Sequence, residues 1–400
     1  MNHRKPFALF PILFSMFAMV ASTWAAGLQV QGNVGKLIPV ALTGYQGEVA
    51  KVLAFDLEVM GCKIVPKGDA SFVLNGKNGP NNLTGVLSDN AGNFGFNLNI
   101  NGAAPRVLAH ALSNATIKAI TGQNGIAHTR ILFTMKTAAR EWEVFQSDFD
   151  GHNPVALTND KSIVESPMWM PNHSGLFYTS WMTIGGLQNT TVVKHNLKTG
   201  KREVFSRYKG LNTGGAMAPN GSVALILSKN RSTDVYFAPP KWEFLKDIKG
   251  EKLLRLTRSR EEKSSPTWSP DGQWLCFHTL IGGKHTLVKV PAGGGQMVSI
   301  PTRGAFRPTQ PSWSPDGKWI AFTQQRGGFQ IGVVPAGGGN AKIYCEGEDP
   351  AWAANSRNII FTRRAGGVNK KRMAILDVPT EQVKILPAFV GSASQPAWGK

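Results

Sequence analysis

The pattern of apolar and polar positions changes character once along the chain. Up to about residue 125, helix-spaced and strand-like segments are interleaved. Val49, Val52, Leu53, Leu57 and Met60 recur at helical intervals, and Gly61 closes that run. Leu108, Ala111, Leu112, Ala115 and Ala119 form a second helical face, with Pro105 near its start and Gly122 at its end. Short apolar segments at 36–42, 63–66, 72–74, 83–87 and 94–100 read as strands, the last alternating Phe94, Phe96, Leu98 and Ile100 between Gly- and Asn-rich turns. This predicts a small α/β or α+β unit whose sheet is covered by helices.

From Thr129 onward, short strands and turns replace helices. One turn recurs: Ser265-Pro266-Thr267-Trp268-Ser269-Pro270-Asp271-Gly272 and Gln310-Pro311-Ser312-Trp313-Ser314-Pro315-Asp316-Gly317. Worn copies centre on Trp169, Met217, Trp352 and Trp398, so the period is roughly 40–50 residues, that of a propeller blade. Pro presets φ for the first central turn position, Asp tolerates the next and Gly supplies the exit. The Trp is suited to wedging between neighbouring sheets. Counting modules from Ile131 to Lys400 leaves none over, which permits a closed ring. The expected fold is an N-terminal small α/β domain plus an all-β six-bladed β-propeller, with bounds 1–25 for an export leader, 26–125 for the α/β domain and 126–400 for the propeller. The stretch Pro239-Pro240-Lys241-Trp242 lengthens the third module and reads as a surface loop.

The leader follows from Arg4 and Lys5, an apolar run over 7–20, and small residues that place cleavage after Ala25. No later stretch is apolar enough to cross a bilayer as a helix. Cys62, Cys276 and Cys345 lie in different segments and read as buried free thiols, with no disulfide framework and no zinc spacing. The net charge of +19 becomes +17 without Arg4 and Lys5, with basic clusters at Arg255, Arg258, Arg260, Lys263 and at Arg363, Arg364, Lys370, Lys371, Arg372. In an exported protein such charge points to anionic envelope surfaces or an acidic partner, or to a solvated basic face, rather than to nucleic acid.

Candidate chemistry is sparse. The loops Val290-Pro291-Ala292-Gly293-Gly294-Gly295 and Val334-Pro335-Ala336-Gly337-Gly338-Gly339 lack the strand–loop–helix setting of a phosphate cradle and read as hairpin turns. No Gly-x-Ser-x-Gly elbow is present. His278 and His285 flank a hairpin and can approach each other, without a supporting carboxylate. Glu261-Glu262 and the group Glu346, Glu348, Asp349 read as solvated charge in polar loops. Asp148-Phe149-Asp150-Gly151 reads as an Asp-Gly hairpin turn. The expectation is a protein with no catalytic residues, no metal and no cofactor.

Several stretches resemble the TolB family. They are Leu108-Ala109-His110-Ala111-Leu112-Ser113 through Ile120-Thr121-Gly122, then Gly125 and His128 to Phe133, the Asp148-to-Asn153 turn ending in Leu157-Thr158, and the Ser-Pro-Asp-Gly repeats. The resemblance implies a periplasmic, non-enzymatic adaptor of the Tol–Pal system, at most peripherally associated with a membrane. Such an adaptor binds a Pal-like peptidoglycan-associated lipoprotein at the propeller mouth and supports outer-membrane integrity, cell division and protein import. It further implies coupling to a TolA-like protein through the mature N-terminus, here residues 28–34. Carried over position by position, the mouth residues are Glu165, Leu211, Asn212, Gly214, Ser264, Thr309, Glu348 and Gln395, with Leu211 departing from the polar residue common in the family. The alternative is an envelope propeller that binds glycans or small molecules, with hydrolase or lyase activity in its funnel. That alternative needs convergent ionisable groups near the axis.

Overall fold

The computed structural model describes residues 35–184, 187–230, 232–365, 370–387 and 391–399. The leader and the coupling segment at 28–34 lie outside the described residues. The first unit is a five-stranded sheet in the order β2-β1-β3-β4-β5: β1 (Ile38–Thr43), β2 (Cys62–Ile64), β3 (Phe72–Asn75), β4 (Asn82–Asp89) and β5 (Phe94–Asn101). β1 is parallel to β2 and β3, and the rest is antiparallel. Helix α1 (Gly47–Val59) is the crossover between β1 and β2, and α2 (Pro105–Thr121) follows β5 and ends at Gly122, which adopts φ +73° as a left-handed cap. The buried residues of α2 are Leu108, Ala109, His110, Leu112, Ser113, Thr116, Ile117 and Ile120. The expected Ala111, Ala115 and Ala119 are only partly covered. The stripe is rotated because α2 packs against α1 as well as against β4 and β5.

Six four-stranded antiparallel sheets follow. Their inner strands are Ala393–Trp398, Val164–Trp169, Asn212–Met217, Lys263–Trp268, Thr309–Trp313 and Glu348–Trp352, for blades one to six in turn. These inner strands touch one another in an unbroken ring around the axis. The sequence modules are therefore offset from the blades by one strand: each module ends on the inner strand of the next blade. Blade one takes its inner strand from the far end of the chain, where Trp398 pairs with Ile131 and Ala397 with Leu132.

The repeated tryptophan does what its spacing predicts. Its ring fills the seam between blades, and its indole N–H reaches the preceding blade: Trp169 Nε1 donates to Ala397 O at 3.2 Å, Trp268 Nε1 to Ala216 O at 2.9 Å and Trp352 Nε1 to Ser312 O at 3.1 Å. Trp313 instead donates to Gly317 O of its own turn, while its backbone N–H takes Thr267 Oγ1 of blade four at 3.3 Å. The turn chemistry is as expected, with Gly272 N donating to Ser269 O and Gly317 N to Ser314 O.

Blade three has Met217 where the others have tryptophan. There the stretch beginning at Pro239 is more than a surface loop. Trp242 and Phe244 are buried in the seam of blades two and three among Phe177, Phe205, Tyr208 and Tyr236, and Trp242 Nε1 donates to Asp247 Oδ2 at 2.9 Å. The insertion supplies from outside the ring the aromatic filling that the motif lacks.

The α/β unit sits on the turn end of blades six and one. Asn358 Nδ2 donates to Val59 O at 2.8 Å and Lys384 pairs with Glu58 at 2.8 Å on blade six, and Arg106 of α2 pairs with Asp150 on blade one. Gly61 sits at φ +91°, a conformation that L side chains rarely adopt, and a Cβ there would also press on the Arg357 guanidinium that pairs with Asp377. One apolar cluster runs from α1 and α2 into Ile131, Phe133, Ile360, Met373 and Ile375 of those blades.

Trp268→Ala should lower unfolding free energy by about 3–5 kcal/mol, because the ring is 7 % exposed and its N–H is bonded. Trp319, 40 % exposed, should give a clearly smaller loss on the same change. Urea unfolding of both variants beside the native chain checks the ordering.

Candidate functional site

All six inner strands carry the same irregularity. Each gains one extra residue relative to its partner strand, between Glu165 and Met168, Thr213 and Ala216, Ser264 and Thr267, Thr309 and Ser312, Glu348 and Ala351, and Ser394 and Ala397. The residue just after the first of each pair is left-handed: Ser166 (φ +53°), Ser265 (+54°), Gln310 (+50°), Asp349 (+57°) and Gln395 (+52°), with Gly214 (+97°) in blade three. A non-glycine residue in that region costs about 1–2 kcal/mol. The bulges are held by bonds between blades. Ser166 N donates to Gln395 Oε1 at 2.9 Å, Asp349 N to Thr323 Oγ1 at 3.2 Å, and Gln395 N to Thr362 Oγ1 at 3.1 Å. A bulge recurs at the same end of all six blades, and in five of them it holds a non-glycine residue in a strained conformation, which makes that end the candidate functional rim. Because every inner strand runs from bulge to tryptophan, this rim is the end opposite the α/β unit.

This frame sorts the predicted residues. Glu165, Ser264, Thr309 and Glu348 are equivalent, each four residues before a wedge tryptophan. Gly214 and Gln395 sit one position further on, at the left-handed residue itself. Asn212 and Leu211 fall before the equivalent position, which in blade three is Thr213. Asn212 is unavailable to a partner: it is wholly buried, with Oδ1 accepting from Ser206 Oγ and Tyr208 N, and Nδ2 donating to Tyr208 O and Gly210 O. Sequence reasoning missed Thr213 and Ser394. Counting four back from Met217 and Trp398 would have found both.

Two local chemistries stand out on the rim. Ser264 Oγ lies 3.2 Å from His278 Nδ1, and His278 Nε2 lies 2.8 Å from His285 Nδ1, with the rings stacked at 4.9 Å. Burial and the neighbouring His285 hold His278 down at about 4, so it is neutral near pH 7. On blade six, Glu348 and Asp349 correct the reading of these acids as solvated loop charge. Both lie on the inner strand, and Glu348 is 7 % exposed with Lys371 Nζ at 2.9 Å. The Asp349 carboxylate is enclosed by Gln310 Nε2 and Thr362 Oγ1, and burial together with the Glu348 charge pushes it up to about 6.

A second cluster lies at the junction of the two units. His110 Nδ1 is 2.8 Å from Asp56 Oδ2, and its Nε2 is 3.9 Å from Asp150 Oδ2. These are the ligand types of a metal centre, and their atoms lie within 4.8 Å of one another. However, Arg106 already engages Asp150, and Glu48 at 3.1 Å. Burial raises Asp56. His110 is drawn down by burial, but the Asp56 hydrogen bond and the charges of Asp56 and Asp150 outweigh this and raise it. The arrangement is a charge network: α1 and α2 supply Asp56, Arg106 and His110, and the Asp148-to-Gly151 turn of blade one supplies Asp150. The turn was legible in the sequence; its part in fastening the domains was not. A groove of about 430 Å³ between blades one and two holds Glu143, whose carboxylate caps Thr158 Oγ1, Asp160 N and Lys161 N. That makes Glu143 a structural acid.

Fold and rim define a two-domain protein in which a six-bladed propeller offers a bulge-lined mouth on the face away from a small α/β unit. A family model described as "TolB beta propeller domain" matches residues 117–400, and the chain belongs to that TolB family. A Haemophilus ducreyi protein described as "Tol-Pal system protein TolB" is 27% identical over 188 residues, 45% of this chain and 42% of that protein. A Polaromonas protein of the same description is 35% identical over 109 residues, 27% of this chain and 24% of that protein. The aligned stretches thus span less than half the length of those relatives. The crystal structure of TolB from Acinetobacter baumannii superposes with a TM-score of 0.77 at 20% identity, over 91% of this chain and 96% of that one, a likeness of fold.

The Asp349 carboxyl is held above its unfolded value, so its contribution favours the folded state at low pH and is lost as pH rises through about 6. Asp349→Asn should therefore be less stable relative to the native chain below about pH 4 than above pH 7, where the difference should shift in the variant's favour. Thermal melts of both proteins from acid to neutral pH check the sign.

Proposed function

We propose that the protein is a non-catalytic, exported adaptor of a Tol–Pal system, holding a Pal-like peptidoglycan-associated lipoprotein against the bulge end of its propeller in the periplasm. The observation that carries this is the ring of six equivalent bulges, five of them holding a strained non-glycine residue, in a member of the TolB family, on the face that the α/β unit leaves uncovered. The contact set is Glu165, Thr213, Ser264, Thr309 and Glu348, with Gly214 and Gln395 beside them; Ser394, the sixth equivalent position, is buried against Thr134. Envelope integrity, division and protein import are the processes such an adaptor serves. Coupling to a TolA-like protein belongs to residues 28–34.

The rival reading, a funnel that binds or cleaves glycans, draws on the Ser264–His278–His285 line. That line ends on a second imidazole rather than a carboxylate. A neutral histidine engaged through Nδ1 to the serine lacks the orienting acid that activates a nucleophile. The line fits a hydrogen-bonded rim better than a hydrolytic site.

The test uses the mature chain and the purified periplasmic domain of the peptidoglycan-binding lipoprotein from the same genome. Native protein should bind. Ser264→Arg and Thr309→Arg, which fill the mouth, should each lose at least about tenfold in affinity, whereas Lys118→Ala on exposed α2 should not. Absence of binding by native chain would overturn the adaptor reading, and full binding by both arginine variants would overturn the site.

A further inference from the structure

The two basic clusters of the sequence have different fates. In the first, Arg255 and Lys263 are consumed within the fold: both pair with the buried Asp234, Arg255 at 2.5 Å and Lys263 at 3.4 Å, and Lys263 is itself 1 % exposed. The second cluster lies on the two central strands of blade six, Asn358–Ala365 and Lys370–Asp377, which pair as a hairpin. Its register sets Arg363 opposite Arg372 and Arg364 opposite Lys371. Like charges directly across an antiparallel ladder destabilise it.

Compensation is one-sided. Side chains alternate across a sheet, so Arg364 and Lys371 share a face with Thr362 and Glu348. Glu348 answers them, at 3.8 Å and 2.9 Å. Arg363 and Arg372 point to the other face, and among the described residues no carboxylate pairs with them or with Lys370. The hairpin springs from the bulge end, beside Glu348 and Asp349. Exposed Arg326 at the adjoining tip of blade five and exposed Lys136 and Arg140 at that of blade one extend the positive charge over three neighbouring blades. Arg364 is held with its guanidinium 4.9 Å from the Phe329 ring centroid, a fixed planar donor rather than a loose chain.

We infer that this hairpin is the docking element for a carboxylate-rich surface of the partner protein, which supplies the counter-charges the fold leaves out. The inference rests on the reading of the bulge end as the partner face. A protein's carboxylates are the counter-charge inferred here because the cations adjoin the bulge rim read as the partner face; guanidinium groups pair bidentately with carboxylate and phosphate alike, and the vesicle arm of the test separates the two. Association should then be electrostatically steered, with the hairpin setting the on-rate.

Arg363→Glu is the informative change, since it converts a repulsive cross-strand pair into an attractive one. The variant should melt at or above the native temperature while losing function, which misfolding cannot mimic. With the lipoprotein's periplasmic domain as probe, stopped-flow association of native chain should slow steeply as salt rises from about 50 to 500 mM. Arg363→Glu should slow it about tenfold at low salt and flatten that dependence. Lys118→Glu, on α2 and away from the rim, should leave both unchanged. Salt-independent association of the native chain, or native rates for Arg363→Glu, would overturn the inference while the adaptor reading stood. Failure of native chain to bind at any salt would instead defeat that reading. Cosedimentation with anionic phospholipid vesicles that depends on Arg363, alongside unchanged lipoprotein binding, would also overturn it by assigning the hairpin to lipid.

Discussion

The propeller depends on a large side chain filling each seam between two blades: five inner strands end in a tryptophan, and at three of them the indole N–H is bonded to the blade before. A single four-stranded sheet has two faces to cover and cannot do so alone. The aromatic ring covers apolar area, and the hydrogen bond from Trp169, Trp268 or Trp352 to an inner-strand carbonyl fixes how far each sheet is turned against its neighbour. The exception supports the rule. At Met217 the seam is filled by Trp242 and Phe244, brought in from a different part of blade three. The motif is lost there, and the volume it would fill is supplied by other aromatic side chains.

How much of this was legible in sequence follows from what kind of signal each feature leaves. The wedge tryptophans, the Pro-Asp-Gly turns and both helices are local patterns with a fixed period, and they appear where the pattern puts them. The insertion at Pro239 was harder. Its composition marks a break in the repeat, but nothing local says that Trp242 folds inward. Glu348 and Asp349 were misread for a related reason. A run of acids suggests a solvated loop, and their burial depends on Lys371, Gln310 and Thr362, which are distant in the chain.

The rim was half legible. Glu165, Ser264, Thr309 and Glu348 fall at one equivalent position because the motif around them is intact. In blade three, where Pro and Trp are both replaced, the same reasoning slid to Leu211 and Asn212, and Asn212 proved to be a saturated buried amide. A bulge has no sequence signature of its own beyond the residue before a buried proline. It becomes visible only when six registers are laid side by side. Once visible, it explains why Ser, Gln and Asp, residues with short or polar side chains, occupy backbone positions that most residues avoid.

The strand Ala393–Trp398 has a consequence for how the protein comes into being. It follows every other described strand in the chain, yet it belongs to the first blade, against Arg130–Ala138. Until it arrives, that strand has an unsatisfied edge, and an exposed strand edge is a template for pairing with another chain. A chain in which that strand is unpaired has five sheets with all their strands and a sixth with an open flank. The α/β unit, whose residues precede the propeller and whose apolar cluster reaches Ile131 and Phe133, is already in place to shield part of that flank. On this view the small domain is an escort during assembly as well as a neighbour in the finished ring.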